Sequence, residues 1–183
     1  MTKYEKLFFD VDDTLIDFKA AEKVALPIVF KEYKMDFTEE VESYYKTLNR
    51  QLWTALEHGE ITREQLLERR FRETMQHFGQ KVDGREMDEQ YRSLLVNTVV
   101  LIDGAEQVLS QLSEKYELYI VTNGMIKTQH DRLKAANLTP YFKRIFVSEE
   151  TNYQKPQIEF FNYVMSNVED FKYHVVQKGE TTY

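Results

Sequence analysis

The sequence predicts an α/β fold in which a doubly wound parallel sheet carries an inserted all-helical domain. Four short runs rich in aromatic and β-branched residues are typical of strands: Lys6–Val11, Glu117–Thr122, Arg144–Ser148 and Tyr173–Gln177. A segment long enough for a single helix, Ile126–Asn137, separates the second run from the third. Strands that are joined through helices pair in parallel. More than a hundred residues with helical periodicity lie between the first run and the second. The insertion therefore follows the first strand.

The first part of this interval contains two helical patterns. Lys19–Lys34 includes Pro27, where we expect a kink because proline removes a helical hydrogen bond. From Thr38 onward a second helix shows apolar residues at spacings of three and four, and it ends at His58-Gly59. Its apolar positions are Val41, Tyr45, Leu48, Leu52 and Leu56.

Two further helices complete the insertion. Thr62 and Gln65 have the spacing of a capping box, and Gly79 ends the helix that they begin. The apolar stripe of this helix is Leu67, Phe71, Met75 and Phe78. Asp83 begins the last helix in a similar way, and that helix continues to about Thr98.

The chain returns to the α/β part at Asp103-Gly104. We expect the next helix to pack on the sheet through four apolar residues, namely Ala105, Val108, Leu109 and Leu112. The predicted domains are an α/β core formed by residues 1–16 and 99–183 and a helical domain formed by residues 17–98.

Composition and charge exclude several classes of protein. The chain has 183 residues, is 42% hydrophobic and has no cysteine, so disulfides and thiolate metal sites are excluded. Its formal net charge is −7, which disfavours a nucleic-acid partner and leaves a small phosphate-bearing ligand as the alternative. Neither a signal peptide nor the ~20 apolar residues of a membrane span is found. We therefore expect a cytoplasmic protein without a membrane partner.

An acid pair follows the first strand. Asp10 and Asp12 are two residues apart at the carboxyl end of the strand, which is the edge where parallel sheets bind ligands. Placing two carboxylates together is costly unless a cation or a reaction requires them. The alternative is an Asp-rich turn that caps the next helix. An EF-hand is excluded because Leu15 stands where the calcium loop needs glycine.

Polar groups follow two other strands of the predicted sheet. Thr122, Asn123 and Gly124 come after the second strand and offer neutral hydrogen-bond donors for an oxyanion. Lys155 follows the third strand. An acid pair, a hydroxyl and a lysine at one sheet edge are the groups that phosphoryl transfer requires. Each group alone has an ordinary explanation as a turn or a solvated surface charge.

These motifs resemble those of the haloacid dehalogenase superfamily of hydrolases with a helical cap. Asp10 to Thr14 matches the family's DxDx(T/V) motif, Thr122 matches its second motif, and Lys155-Pro156 matches its third. The branch that the chain resembles is the bacterial pyrimidine 5′-nucleotidases. The segments that carry this likeness are Asn49–Trp53, Arg69–Phe71 and Val147–Glu150.

The resemblance implies a Mg²⁺-dependent phosphomonoesterase, most simply a nucleotidase. Asp10 would attack phosphorus to form an aspartyl-phosphate, and Asp12 would protonate the leaving oxygen and then activate water. Thr122 and nearby backbone N–H groups would hold the phosphoryl oxygens, with Asn123 and Gly124 as substrate contacts and Lys155 neutralising charge. Asp12 also favours a phosphatase over a dehalogenase, because the dehalogenases of the superfamily lack this second acid.

The family's fourth motif is altered here. The resemblance places Mg²⁺ on the Asp10 carboxylate and the Asp12 carbonyl, with Glu180 replacing the usual third acid. The last acid and the final strand and helix of the family have no counterpart in the sequence, so we expect a C-terminal part of the core to be missing. The open alternatives are a catalytically impaired protein that binds phosphate or a partner, and a sugar-phosphate phosphatase or phosphomutase. A monomer and a homodimer are both compatible with the sequence.

Residues of the inserted domain are candidates for contact with the substrate. Asn49 and Trp53 lie on one helix face, and Trp53 fits either a base-stacking role or the domain's core. The arginines at positions 69, 70 and 72 are expected to form a solvated helix face, and the alternative is that one of them reaches the substrate. The four histidines show no zinc-ligand spacing.

Overall fold

The computed structural model describes residues 4–169, which divide between two units. The α/β unit contains residues 4–21 and 99–169, and the helical unit is Glu22–Thr98. Among the helices of the described chain, none combines the length and the apolar character that crossing a membrane requires.

In the part of the α/β unit that the structure describes, three parallel strands form a sheet in the order β1-β2-β3. The strands are β1 (Lys6–Phe9), β2 (Glu117–Thr122) and β3 (Phe142–Val147). Phe9 of β1 pairs with Ile120 of β2, and Ile120 pairs in turn with Ile145 of β3. The first three predicted strands are thus confirmed, although β1 ends two residues earlier and β3 begins two residues earlier than predicted. The predicted strand Tyr173–Gln177 lies outside the described residues.

Both faces of the sheet are covered by helices, as a doubly wound fold requires. The helices of this unit are α5 (Ala105–Ser113), α6 (Ile126–Ala135) and α7 (Ile158–Ser166), and α1 (Phe18–Glu32) begins in it. One core cluster contains Leu118 and Ile120 of β2 with Leu109 of α5 and Leu133 of α6. The other contains two alternate residues of β2, one residue of β3 and two residues of α7, namely Tyr119, Val121, Phe146, Phe160 and Val164.

One expected core residue of α5 is on the surface. Ala105 and Leu109 are buried and Leu112 packs against the same cluster, but Val108 is 48% exposed. The prediction for Val108 was therefore wrong. The apolar positions of α5 cover more than the face that meets the sheet, and Val108 lies at the margin of that stripe.

Local capping signals determine where the helices of the helical unit begin and end. This unit contains most of α1 together with α2 (Glu39–Glu57), α3 (Arg63–His77) and α4 (Gly84–Asn97). Thr62 accepts a hydrogen bond from the backbone of Gln65, whose side chain accepts one from the Thr62 N–H, so the predicted capping box is present. Gly59 and Gly79 adopt positive φ immediately after α2 and α3, as helix C-termini favour. The first helix, α1, continues through Pro27.

Aromatic rings from four helices form the core of the helical unit. Phe71 of α3 is the central ring, with centroids 5.2 Å from Tyr45, 5.3 Å from Tyr91 and 6.0 Å from Phe30. All four residues are fully buried. Edge-to-face and tilted ring pairs at these separations add about 0.5–1.5 kcal/mol each beyond the burial of their area.

A buried arginine accompanies this aromatic core. Arg70 is only 4% exposed, forms an ion pair with Asp88 of α4, and lies 5.0 Å from the ring of Tyr91 and 5.4 Å from that of Phe71. The expectation of a solvated arginine face was wrong for this residue. An arginine is buried when a carboxylate compensates its charge and aromatic rings pack against its planar group, and both conditions hold here.

Candidate active site

The acid pair lies in a tight loop directly after β1. Val11 is fully buried, and its carbonyl accepts hydrogen bonds from the N–H groups of Leu15 at 2.9 Å and Ile16 at 3.0 Å. Asp13 turns the chain with a φ of 55°, a conformation that aspartate tolerates better than most residues. The buried Val11 thus anchors the loop, and the side chains of Asp10 and Asp12, 42% and 35% exposed, flank it.

Asp10 is paired with Lys155. The Lys155 Nζ atom lies 2.9 Å from Asp10 Oδ1, and the lysine side chain is only 18% exposed. The Val11 N–H also donates to Oδ1, at 2.8 Å. These contacts fall on one oxygen of the carboxylate, so they hold Asp10 in place through Oδ1.

Asn123 binds the backbone of Lys155. The Asn123 Nδ2 donates to the Lys155 carbonyl at 2.9 Å, and the Lys155 N–H donates to Asn123 Oδ1 at 2.9 Å. Because Asn123 follows β2, this two-way contact ties the end of one strand to the segment that carries the lysine. The structure therefore places the predicted substrate contact Asn123 where it orients Lys155.

Asp12 is held by two residues of α6. Gln129 Nε2 donates to Asp12 Oδ2 at 2.9 Å, and Arg132 Nη1 donates to Asp12 Oδ1 at 2.5 Å. The same Gln129 amide donates to Thr122 Oγ1 at 2.8 Å, and its oxygen accepts from Arg132 Nη1 at 3.0 Å. The amide of Gln129 thus joins Asp12 in the first loop to Thr122 at the end of β2.

Gly124 makes room for this amide. Its N–H donates to Thr122 Oγ1 at 3.2 Å. A Cβ atom at position 124 would come within 2.5 Å of the Gln129 Cγ and Nε2 atoms, which real Cβ contacts do not reach. A larger residue at position 124 would therefore force the Gln129 side chain out of its present position.

The charges of Asp10, Asp12, Arg132 and Lys155 at this site sum to zero. Asp10 faces Lys155 and Asp12 faces Arg132, so each carboxylate has one cationic partner. A phosphate group brought to Asp10 would add negative charge that these pairs do not offset. Additional positive charge is needed before an anionic ligand can bind beside Asp10.

The described part of the chain supplies a partial ligand set for a hard cation. Across residues 4–169, no group of three or more His, Cys, Asp and Glu side chains is arranged to hold a metal ion. Each Asp12 carboxylate oxygen accepts a hydrogen bond from α6, and the predicted oxygen ligands of the cation are the Asp10 carboxylate and the Asp12 carbonyl. Mg²⁺ accepts such a set because it binds through one or two protein oxygens and keeps several waters. The third predicted ligand, Glu180, lies outside the described residues.

Asn49 and Trp53 belong to α2 in the helical unit. The Asn49 Oδ1 atom is buried and accepts no hydrogen bond from the described residues. Trp53 is half-buried and packs against the cluster of Leu52, Leu56 and Leu66. These contacts agree with a core position for Trp53, and its role at the substrate stays a prediction.

Sequence reasoning missed Gln129 and Arg132. Both are buried, at 1% exposure, on the face of α6 that also buries Leu133. The available signal was their spacing of three residues, which places two polar side chains on the core-facing stripe of a helix next to the sheet. Buried polar groups need partners, and these partners come from the two loops of the site.

The chain is similar to a family of hydrolases and to individual members of it. A family model described as haloacid dehalogenase-like hydrolase matches residues 7–182. The Bacillus subtilis HAD-hydrolase YfnB is 43% identical over 171 residues, which cover 93% of this chain and 73% of YfnB. The pyrimidine 5′-nucleotidase PynA of Streptococcus pneumoniae is 37% identical over 169 residues, covering 92% of this chain and 71% of PynA. The pyrimidine 5′-nucleotidase YjjG of Escherichia coli is 29% identical, with coverages of 89% and 71%.

Solved structures share the same fold. A crystal structure of YfnB bound to magnesium superposes with a TM-score of 0.90 and covers 93% of this chain and 77% of its own. The L-2-haloacid dehalogenase of Xanthobacter autotrophicus superposes with a TM-score of 0.70 at 18% identity, covering 94% of this chain and 68% of its own. At that identity the second likeness concerns the fold alone.

Proposed function

Because the chain belongs to the haloacid dehalogenase-like hydrolase family, we propose that it is a Mg²⁺-dependent phosphomonoesterase acting on pyrimidine nucleoside 5′-monophosphates. The observation that carries this proposal is the pairing of a half-exposed carboxylate, Asp10, with Lys155 at 2.9 Å, two residues away from a second carboxylate, Asp12. A nucleophile beside a cation and an acid in the same loop are the groups that hydrolysis through a covalent intermediate needs.

The reaction proceeds in two steps on these side chains. In the first, an Asp10 oxygen attacks phosphorus, the ester P–O bond breaks, and the proton of the Asp12 carboxyl passes to the leaving oxygen. In the second, water attacks the aspartyl-phosphate, its proton passes to Asp12, and the Asp10–phosphorus bond breaks to release inorganic phosphate. Asp10 and Asp12 then return to their starting states, so one water is consumed per ester.

Other residues of the site hold the phosphoryl group. Lys155 faces Asp10 and offsets the charge that gathers as the nucleophile approaches phosphorus. Thr122 is the proposed contact of a phosphoryl oxygen through its hydroxyl hydrogen, because its Oγ1 already accepts from the Gly124 N–H and from Gln129. The Asn123 side chain keeps Lys155 in place. Mg²⁺, held by the Asp10 carboxylate and the Asp12 carbonyl with Glu180 as a further ligand, would supply the positive charge that the balanced side-chain pairs leave lacking.

The second acid supports a phosphatase over a dehalogenase. An alkoxide leaving group needs a proton, for which Asp12 is the proposed donor, whereas a halide leaves without protonation. The dehalogenases among the structural relatives share the fold at 15–18% identity, and they lend no support to halide chemistry in this chain.

The nucleotide class of the substrate rests on the relatives PynA and YjjG. Asn49 and Trp53 are the proposed contacts to the base. Trp53→Ala is expected to weaken the hydrolysis of uridine 5′-monophosphate more than that of p-nitrophenyl phosphate, because base stacking is worth about 1–3 kcal/mol. Leu52→Ala, in the same core cluster, is the matched control for loss of packing. Equal losses for the two substrates would assign Trp53 to the core alone.

The test of the reaction is Mg²⁺-dependent release of phosphate from a panel of pyrimidine nucleotides, purine nucleotides and sugar phosphates. Asp10→Asn is expected to abolish release because the amide is not a nucleophile, and Asp12→Asn to lower it by about 10²–10⁴-fold. Asp13→Asn is the matched control: it makes the same change in the same loop, at an exposed side chain paired with Lys19.

The outcomes separate the alternatives. Preference for sugar phosphates would replace the nucleotide assignment with a sugar-phosphate phosphatase. A chain that binds phosphate but releases none from any ester would favour the catalytically impaired alternative. Turnover that survives Asp10→Asn would rule out the covalent mechanism.

A further inference from the structure

We infer that Gln129 and Arg132 are positioning residues that hold the Asp12 carboxylate in the orientation in which it transfers protons. This inference deepens the proposed function and rests on it. Neither residue belongs to the motifs that identify the acid pair, the hydroxyl or the lysine. Both act through Asp12 and lie on one face of α6, three residues apart.

The contacts fix both oxygens of Asp12. Gln129 donates to Oδ2 at 2.9 Å and Arg132 donates to Oδ1 at 2.5 Å, so rotation of the carboxylate would break one of these hydrogen bonds. The two donors are also joined to each other, because Gln129 Oε1 accepts from Arg132 Nη1 at 3.0 Å. A carboxylate gripped at both oxygens by mutually bonded donors has one preferred orientation.

The burial of Arg132 commits its charge to Asp12. The residue is 1% exposed, and its Nε and Nη2 atoms are buried without hydrogen-bond partners among the described residues. The guanidinium carbon also lies 5.5 Å from the centre of the Phe18 ring. Because a buried charge needs a counter-charge, the ion pair with Asp12 is what keeps Arg132 in this place. Arg132 therefore contacts Asp12 from the buried side of the carboxylate.

The hydrogen bonds from Gln129 and Arg132 leave Asp12 with free acceptor positions for a proton. Each carboxylate oxygen has two acceptor positions, and the contacts with α6 use one position on each. The Asp12 side chain is 35% exposed, so its open side faces away from the buried arginine. The geometry thus restrains the orientation of the group and keeps an acceptor position for the proton in transit.

Two further features fix the position of α6 and of the Gln129 side-chain amide relative to the loop that carries Asp12. Gly124 provides the space that the Gln129 side chain occupies, since a Cβ there would lie 2.5 Å from it. The Glu149 carboxylate accepts from the N–H of Ile126 at 2.5 Å and so fixes the first turn of α6. The position of Gln129 is therefore set by residues that follow both β2 and β3.

The kinetic test compares two leaving groups. Uridine 5′-monophosphate loses an alkoxide, which needs the proton of Asp12, whereas p-nitrophenyl phosphate loses a stable anion. Because kcat/KM covers the steps up to departure of the leaving group, Arg132→Met and Gln129→Leu should lower kcat/KM for the nucleotide about 10²-fold. The same variants should lower kcat/KM for the aryl ester less than about fivefold. Equal losses for both esters would overturn the inference.

Matched variants separate positioning from loss of packing. Leu133→Ala removes core contacts of the adjacent residue on α6 and should lower thermal stability while leaving the ratio of the two kcat/KM values unchanged. Arg132→Lys keeps the positive charge and one donor, and should recover part of the nucleotide activity. Gly124→Ala should shift the ratio in the same direction as Gln129→Leu. A ratio that moves as far in Leu133→Ala as in Arg132→Met would refute the role.

A denaturation cycle tests the contact without catalysis. If Arg132 depends on Asp12, the double variant Asp12→Asn/Arg132→Met should lose less in melting temperature than the sum of the two single variants. Additive losses would overturn the inference. A parent chain that hydrolyses neither ester, but shows this coupling, would count against the proposed function alone.

Discussion

Asp88→Asn is expected to destabilise the helical unit strongly. Asp88 is 1% exposed and accepts hydrogen bonds from three arginine atoms: Arg70 Nε at 2.7 Å, Arg70 Nη2, and Arg92 Nε at 2.6 Å. The neutral amide keeps the volume of the side chain and removes its charge. The perturbation therefore isolates the electrostatic part of the contact.

The magnitude follows from the burial of the partners. Arg70 is 4% exposed, so its charge would stay in the core without compensation, and such a loss costs about 3–5 kcal/mol. This is a large share of the about 5–15 kcal/mol that stabilises a typical domain. In the parent, burial lowers the pKa of Arg70, but the charge and hydrogen bond of Asp88 together with Tyr45 and Tyr91 raise it by more, so the net pKa is raised. Asp88→Asn removes the largest of these favourable contributions and leaves the cost of burial in place.

The chain offers a matched control on its surface. Asp131→Asn makes the same substitution in a pair with Lys127 that has the i,i+4 spacing of the Asp88–Arg92 pair, but the Asp131 and Lys127 side chains are 39% and 83% exposed. Exposed pairs contribute about 0–1 kcal/mol, so this variant should unfold almost as the parent does.

Urea denaturation followed by tryptophan fluorescence is the appropriate assay. The chain has one tryptophan, Trp53, which lies in the helical unit and reports on its unfolding. A loss for Asp88→Asn within about 1 kcal/mol of that for Asp131→Asn would refute the reasoning. Replacing both partners, as Arg70→Met/Asp88→Leu, should recover part of the loss because no central charge is then left unpaired.

Three further outcomes are expected. Asn123→Ala should lower Mg²⁺-dependent hydrolysis of p-nitrophenyl phosphate by about 10–100-fold by releasing the backbone of Lys155, and unchanged activity would contradict this role. Burial raises the pKa of Glu22, so its ionised form destabilises the fold. Glu22→Gln should therefore gain stability relative to the parent as the pH rises above the ordinary carboxyl pKa near 4.5. Denaturation curves that show a difference independent of pH would refute this. Val108→Ala should change stability by less than about 0.5 kcal/mol, whereas Leu109→Ala should cost about 2–5 kcal/mol, and urea denaturation compares them.

Much of the fold could be predicted because its signals are local. The capping box at Thr62 and Gln65 lies within one helical turn, and positive φ at Gly59 and Gly79 follows directly from the residue type. The strands at the centre of the α/β unit were recognisable from their composition alone. Each of these features depends on residues a few positions apart.

The errors concern which side of a helix meets the core. Val108 and Leu109 are neighbours with similar apolar character, yet one is 48% exposed and the other fully buried. Arg70 looked like a surface residue because its partner Asp88 is 18 positions away on another helix. Periodicity defines a stripe of about 100° or more, and only packing decides which of its margins is covered.

The acid pair, Thr122 and Lys155 were candidates from the sequence because each follows a predicted strand, and the structure brings them together at one sheet edge. Gln129 and Arg132 were not candidates, since polar residues on a helix ordinarily face solvent. Their roles appear only when α6 packs beside the first loop.

The sequence by itself determined the local parts of this protein: where its helices begin and end, which segments become strands, and which chemical groups stand after those strands. Tertiary structure alone decided that Arg132 meets Asp12, 120 positions earlier, and that Asn123 clasps the backbone of Lys155, 32 positions later. The physical reason is the range of the interactions. Capping, turn and propensity effects act within about one helical turn, whereas a hydrogen bond between distant segments exists only after the strands have paired and the helices have covered the sheet.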